Sequence, residues 1–146
     1  MGGRSKSQGR KKLNPRFLLD THIAIRWRGA PKKLSREQDR VLRDVDKTGE
    51  PIAISAITLL EMAVLLGDGR TQTVIPMEGL FTEFDTNPAI QIIPLTAEIA
   101  AEVAALGGSL RDPADRAIVA TARVRRLKLI TSDQRIIDSG LVPVVG

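Results

Sequence analysis

Apolar residues along the chain fall into short runs that stop abruptly at a polar or charged position, and these runs alternate with stretches of helical period. Phe17-Leu18-Leu19 ends at Asp20, Ile52–Ile57 is apolar on both faces, Ile90–Ile93 repeats the pattern, and Lys128–Ser132 leads directly to Asp133. Runs of this length and two-sided apolarity predict strands of a parallel sheet covered by helices. Leu141–Val145 is a candidate fifth strand.

The intervening segments predict helices. A helical stretch runs from Thr21 through Trp27 to the turn Gly29-Ala30-Pro31. Ser35-x-x-Gln38 is a capping box that opens a helix to about Lys47, with Leu34, Val41, Leu42 and Val45 as its apolar stripe and Gly49 as its stop. Thr58 to Leu66 is apolar nearly all round and carries one charge, Glu61. Met77–Phe84 predicts a helix in an otherwise weakly patterned stretch. Thr96 caps an Ala-rich helix to Leu106, Asp112-Pro113 leads another to about Arg125, and a short one carries Ile136 and Ile137. Strands alternating with helices indicate an α/β fold with a mainly parallel sheet.

Length and composition narrow this picture. With 146 residues the chain has room for one core. Only 3% of residues are aromatic, so that core is aliphatic. There is no cysteine, which excludes disulfides and thiolate metal sites, and no run approaches the roughly 18 apolar residues of a membrane span. The N-terminus lacks the apolar segment of a signal peptide, so the expected location is cytoplasmic.

Charge divides the chain in two. Residues 1–16 hold six cations (Arg4, Lys6, Arg10, Lys11, Lys12, Arg16) and no acid, and read as a flexible basic tail, either a nucleic-acid contact or sequence without a role. Removing those six from the 22 basic residues leaves 16 against 17 acids in the domain 17–146, a net of −1. Its cations gather locally, in Arg26, Arg28, Lys32 and Lys33 and in Arg123, Arg125, Arg126 and Lys128. Basic edges around an acidic site suit a phosphodiester substrate.

Ligands of open parallel sheets bind outside the carboxyl ends of the strands. Asp20 and Asp133 directly follow predicted strands, Glu61 lies a turn beyond another, and Asp115 opens a helix that can start at the same edge. Four such acids repel one another, and a divalent cation resolves the conflict. Oxygen ligands without a His or Cys cluster favour Mg²⁺ or Mn²⁺, which activates water toward a phosphodiester. Each acid also has a plainer explanation. Asp20 and Asp133 can cap helices, Thr58-x-x-Glu61 can form a capping box, Asp112 is a good N-cap before Pro113, and Asp115 gains from the helix dipole. Glu61 resists this most, because a charge in an apolar helix is costly unless paired or metal-bound. Thr131 takes a minor place as an orienting hydroxyl, and Arg116 either clamps phosphate or pairs with an acid. His22 contacts RNA or is simply a surface residue.

The ordered segments Leu18-Leu19-Asp20-Thr21-His22, Thr58-Leu59-Leu60-Glu61-Met62-Ala63, Asp112-Pro113-Ala114-Asp115-Arg116-Ala117-Ile118-Val119-Ala120-Thr121-Ala122 and Leu129-Ile130-Thr131-Ser132-Asp133 resemble the PIN-domain family, and within it the VapC toxins. The resemblance implies a three-layer α/β/α fold with a mainly parallel sheet of four to five strands. It implies an Mg²⁺- or Mn²⁺-dependent endoribonuclease, homodimeric and held by a VapB-type antitoxin. Asp20, Glu61, Asp115 and Asp133 take the family's acidic positions, with Asp112 beside them as a cap and supporting group. Two other readings stand against it: a PIN-like interaction module without catalysis, and a receiver-like signalling domain.

Overall fold

The computed structural model describes residues 14–69 and 71–146. Its strands are β1 (Phe17–Leu19), β2 (Ile52–Ser55), β3 (Ile90–Ile93), β4 (Lys128–Ile130) and β5 (Val144–Val145). The helices are α1 (Thr21–Gly29), α2 (Arg36–Thr48), α3 (Ala56–Gly67), α4 (Met77–Thr86), α5 (Ala97–Ala105), α6 (Pro113–Arg125) and α7 (Gln134–Ser139), with a 3₁₀ turn at Pro31–Lys33.

All pairings are parallel, in the order β3-β2-β1-β4-β5. The chain therefore builds outward from β1 to β3, returns across the sheet, and builds outward again from β4. The reversal lies between β1 and β4, which makes that crevice the topological switch point of the sheet. Receiver domains have the order 2-1-3-4-5, so the topology excludes the receiver-like reading.

Alternation along the strands explains the three layers, because successive side chains of a strand point to opposite faces. Phe17, Leu19, Ile52, Ile54 and Ile130 pack under Ile23, Val41, Leu42, Met62 and Phe84 of α1 to α4. Leu18, Ala53 and Leu129 face the other way, against Ile99, Ile118, Val119 and Ile136 of α5 to α7. Both faces are covered, which is why the strands read as unbroken apolar runs.

The capping box at Ser35 forms as its sequence dictates, with Ser35 Oγ accepting from Gln38 N at 3.1 Å and Gln38 Oε1 accepting from Ser35 N at 3.0 Å. Gly49 closes α2 at φ 71°, a left-handed conformation that costs glycine nothing. Two boundaries differ from the sequence reading. The second strand ends at Ser55, not Ile57, and Ser55 caps α3 by accepting from Ile57 N at 3.2 Å. Thr58 is therefore an interior residue of the helix, and the Thr58–Glu61 capping box does not form.

The basic tail falls mostly outside the described residues, but its last member does not. Arg16 donates to Glu50 at 2.8 Å and lies 4.8 Å from the Phe17 ring centroid. Its carbonyl accepts from Lys128 N at 3.0 Å, so Arg16 belongs to the folded domain.

Candidate active site

Asp20 sits where β1 gives way to α1, at the switch point. Its backbone N–H still follows the sheet, donating to Ile130 O at 3.0 Å, while its side chain caps α1 by accepting from Thr21 N at 2.8 Å. The other carboxylate oxygen accepts from the Thr131 hydroxyl at 2.7 Å. The residue is only 6% exposed, and burial pushes its pKa up against the downward pull of those two hydrogen bonds.

Thr131 ties the two halves of the crevice together. Its hydroxyl donates to Asp20 and accepts from Asp133 N at 3.0 Å, which uses both capacities of one group. Expected only as a minor orienting hydroxyl, Thr131 is fully buried and holds the two acids that flank the switch point. Behind it, the buried Gln38 amide donates to Ser132 Oγ at 2.9 Å, anchoring the loop after β4 to the start of α2.

Glu61 reaches the same region from α3. Its Oε1 accepts a short hydrogen bond from the Thr21 hydroxyl, and Thr21 Oγ lies 3.2 Å from Thr58 Oγ. Since the one proton of Thr21 goes to Glu61, Thr58 is the donor of the second bond. Burial raises the Glu61 pKa and the Thr21 bond lowers it, with Asp20 adding a further upward push.

Asp115 lies in the first turn of α6, and its pKa is pushed up to about 7, first by burial and then by the negative charges of Asp112, Asp20, Asp133 and Glu61. That list of neighbours places all four predicted acids in one electrostatic environment. Asp133 behaves oppositely. Arg135 donates to it at 3.1 and 3.3 Å and holds its pKa below the usual carboxylate range. The same guanidinium stands 3.7 Å from Asp115.

Asp112 caps α6, accepting from Ala114 N at 2.9 Å and Asp115 N at 3.0 Å. Arg116 takes neither role expected of it. It donates to Leu110 O and Val103 O at 2.7 Å each, and to Gly107 O, locking the α5–α6 connection. Its guanidinium joins carbonyls at the end of α5 to those of the loop that follows, and it is a structural clamp.

Thr21, Thr58, Gln38 and Arg135 are the site residues that sequence reasoning missed. Thr58 shows only as a hydroxyl in an apolar run and Gln38 only as half of a capping box, and nothing local marks Thr21 or Arg135.

The donor set is carboxylate and hydroxyl oxygen, which fits a hard divalent cation. Among the described residues no three acidic or histidine side chains form a ready-made cage.

Residues 17–139 match the family model of the PIN domain. The chain is 32% identical over 120 residues to Ribonuclease VapC22 of Mycobacterium tuberculosis, covering 82% of this chain and 88% of that protein. A toxin–antitoxin complex from Klebsiella pneumoniae superposes with a TM-score of 0.62 at 27% identity, over 88% of this chain and 95% of that one. VapBC2 from Rickettsia felis, bound to a DNA fragment from its promoter, superposes with a TM-score of 0.63 at 19% identity, over 88% and 96%, which speaks to the fold alone.

Proposed function

We propose that this chain, which belongs to the PIN domain family, is a metal-dependent endoribonuclease acting as the toxin of a type II toxin–antitoxin pair. The observation that carries the reading is the linkage of Asp20 to Thr131 across the β1/β4 switch point and of Glu61 on α3 to Thr21 at the start of α1, with Asp115 and Asp133 facing the same crevice. Similarity to a VapC ribonuclease over most of the chain supports the reaction class.

Asp20, Glu61, Asp115 and Asp133 would hold Mg²⁺ or Mn²⁺. When bound, the ion supplies a more acidic water and offsets the charge that builds on the phosphodiester. The protein residues prepare the site for it. Thr131 and the Thr21 amide fix both oxygens of Asp20, so the carboxylate is aimed before any ligand arrives. Thr21 does the same for Glu61. Arg135, 75% exposed, offers a guanidinium at the rim for a phosphate, which Asp133 now occupies.

Two partners belong to this reading. A VapB-type antitoxin is supported by the toxin–antitoxin complexes among the structural relatives. A homodimer is supported by the apolar outer face of α3, where Leu60 is 61% and Val64 46% exposed. No helix of the described residues is long and apolar enough to cross a membrane, and an RNA substrate puts the working protein in the cytoplasm.

The test is cleavage of RNA in Mg²⁺ or Mn²⁺ by the parent, Asp20→Asn and Asp115→Asn. The parent cleaves and both variants lose the activity. Equal cleavage by all three would overturn the metal-site assignment.

A further inference from the structure

We infer that the outer face of α1 and the turn after it form the track that holds the RNA backbone beside the acidic centre, with Arg26 and Lys33 as its phosphate contacts. This rests on the ribonuclease reading above and adds to it the side from which the strand enters.

A depression of about 370 Å³ lies next to the switch point, lined by His22, Arg26 and Lys33 on one side and by Gly69, Thr71 and Gln72 on the other. Three features make it a nucleic-acid surface. The first is position. Asp20 caps α1, and His22, which lines the depression, stands close enough to Asp20 and Glu61 for its charge to act on both, while Arg26 stands six residues, about 9 Å, from Asp20 along the helix axis. His22 and Arg26 are four residues apart and share one helix face.

The second is charge. The acids at the crevice are several, and a polyanion approaching them is repelled unless cations flank its path. Seven of the twelve described arginines are committed: Arg16 to Glu50, Arg28 to Asp46 and Glu83, Arg40 to Glu37, Arg43 to Asp39, Arg116 to carbonyls, Arg123 to Glu102 and Arg135 to Asp133. Arg26 and Lys33 have no side-chain partner among the described residues, and no acid lines the depression. Their donors are free for phosphate.

The third is construction. The wall opposite α1 is docked by close backbone contact, with Val74 N donating to Gly29 O at 2.8 Å. A side chain at position 29 would meet Thr73 at 2.8 Å, so only glycine lets this segment close onto the end of α1. The groove is therefore a built feature, and Ile25, which lines it, is packed in the core.

The experiment measures binding of a fluorescein-labelled oligoribonucleotide by anisotropy, in Mg²⁺, on an Asp20→Asn background that leaves the RNA intact. Arg26→Ala/Lys33→Ala is compared with Arg125→Ala/Lys128→Ala, the same charge change at the opposite edge of the sheet. The first pair weakens binding about tenfold or more and lowers the slope of log affinity against log salt by about 1.4, the release expected from two single-strand phosphate contacts. The second leaves both unchanged. In the active background the first pair raises KM with kcat retained.

Equal effects of the two pairs, or none from the first, would overturn the track, as would absence of RNA binding by the parent. Selective loss of binding in a parent that cleaves no RNA would uphold the track and overturn the catalytic reading, so the two fail separately.

Discussion

The two edges of the central sheet handle charge in opposite ways. At the amino edge two cations meet acids from different elements: Arg16 pairs with Glu50 ahead of β2, and Arg123 at the end of α6 pairs with Glu102 of α5. At the carboxyl edge like charges are collected. Asp20, Glu61, Asp112, Asp115 and Asp133 crowd one crevice, and among the described residues one guanidinium, that of Arg135, ion-pairs with any of them. Paired charges at a strand end are part of the scaffold. Unbalanced ones store a preference for a ligand of opposite sign, and they do so at the expense of stability.

The largest effect that tests this contrast is at Asp115. Its neutral substitute Asp115→Asn lowers RNA cleavage by at least about 100-fold, at or beyond the 10- to 100-fold typical of residues that merely support a metal ligand. The same variant raises the thermal midpoint above pH 7 in the absence of divalent metal, because it removes a charge that the fold disfavours. Loss of activity together with loss of stability would break the contrast.

Thr131→Val comes next. It removes the donor to Asp20 and the acceptor for Asp133 N, and lowers cleavage about 10- to 100-fold. Denaturant unfolding registers a loss of about 1–3 kcal/mol, the cost of a buried polar group left unsatisfied.

The pH dependence follows from Asp115. In the unfolded chain its carboxyl ionises near 3.8 and in the fold at about 7, so between those values the native state holds a proton that the unfolded state has released. Its contribution to stability is present below about pH 4 and lost as pH rises through about 7. A divalent cation competes with that proton, so Mn²⁺ raises the melting temperature more at pH 8 than at pH 5. A metal shift that is the same at both values would remove Asp115 from the site.

The smallest effect belongs to the amino edge. Arg16→Ala breaks an ion pair whose cation is 61% exposed, costs about 0.2–1 kcal/mol, and leaves RNA cleavage unchanged.

What could be read from the sequence depended on how local each cause was. β1, the capping box of α2, the Thr96 and Asp112 caps and the acids at strand ends are set by neighbours within a few residues, and all were legible. The β2/α3 boundary was not, because Ile52–Ile57 is apolar whether it lies in a strand or in a buried helix turn, and period cannot separate the two. Thr131 looked like any hydroxyl at a strand end until its partner 111 residues earlier was in place. Arg116 looked like a phosphate clamp or the partner of an acid, yet it donates to carbonyls six to 13 residues earlier, along the α5–α6 connection. A side chain with five donors takes whichever acceptors the fold leaves unpaired, and that is a tertiary fact.

The hydrogen bond between Asp20 and Thr131 also sets a schedule. At a synthesis rate of about 5–20 residues per second, a nascent chain carries Asp20 for roughly 6–22 s before the ribosome has made its partner. Until then β1 lacks its neighbour β4, the first acid is unaimed, and half of the crevice does not exist. The acidic centre is therefore incomplete until the segment after β4 has been made.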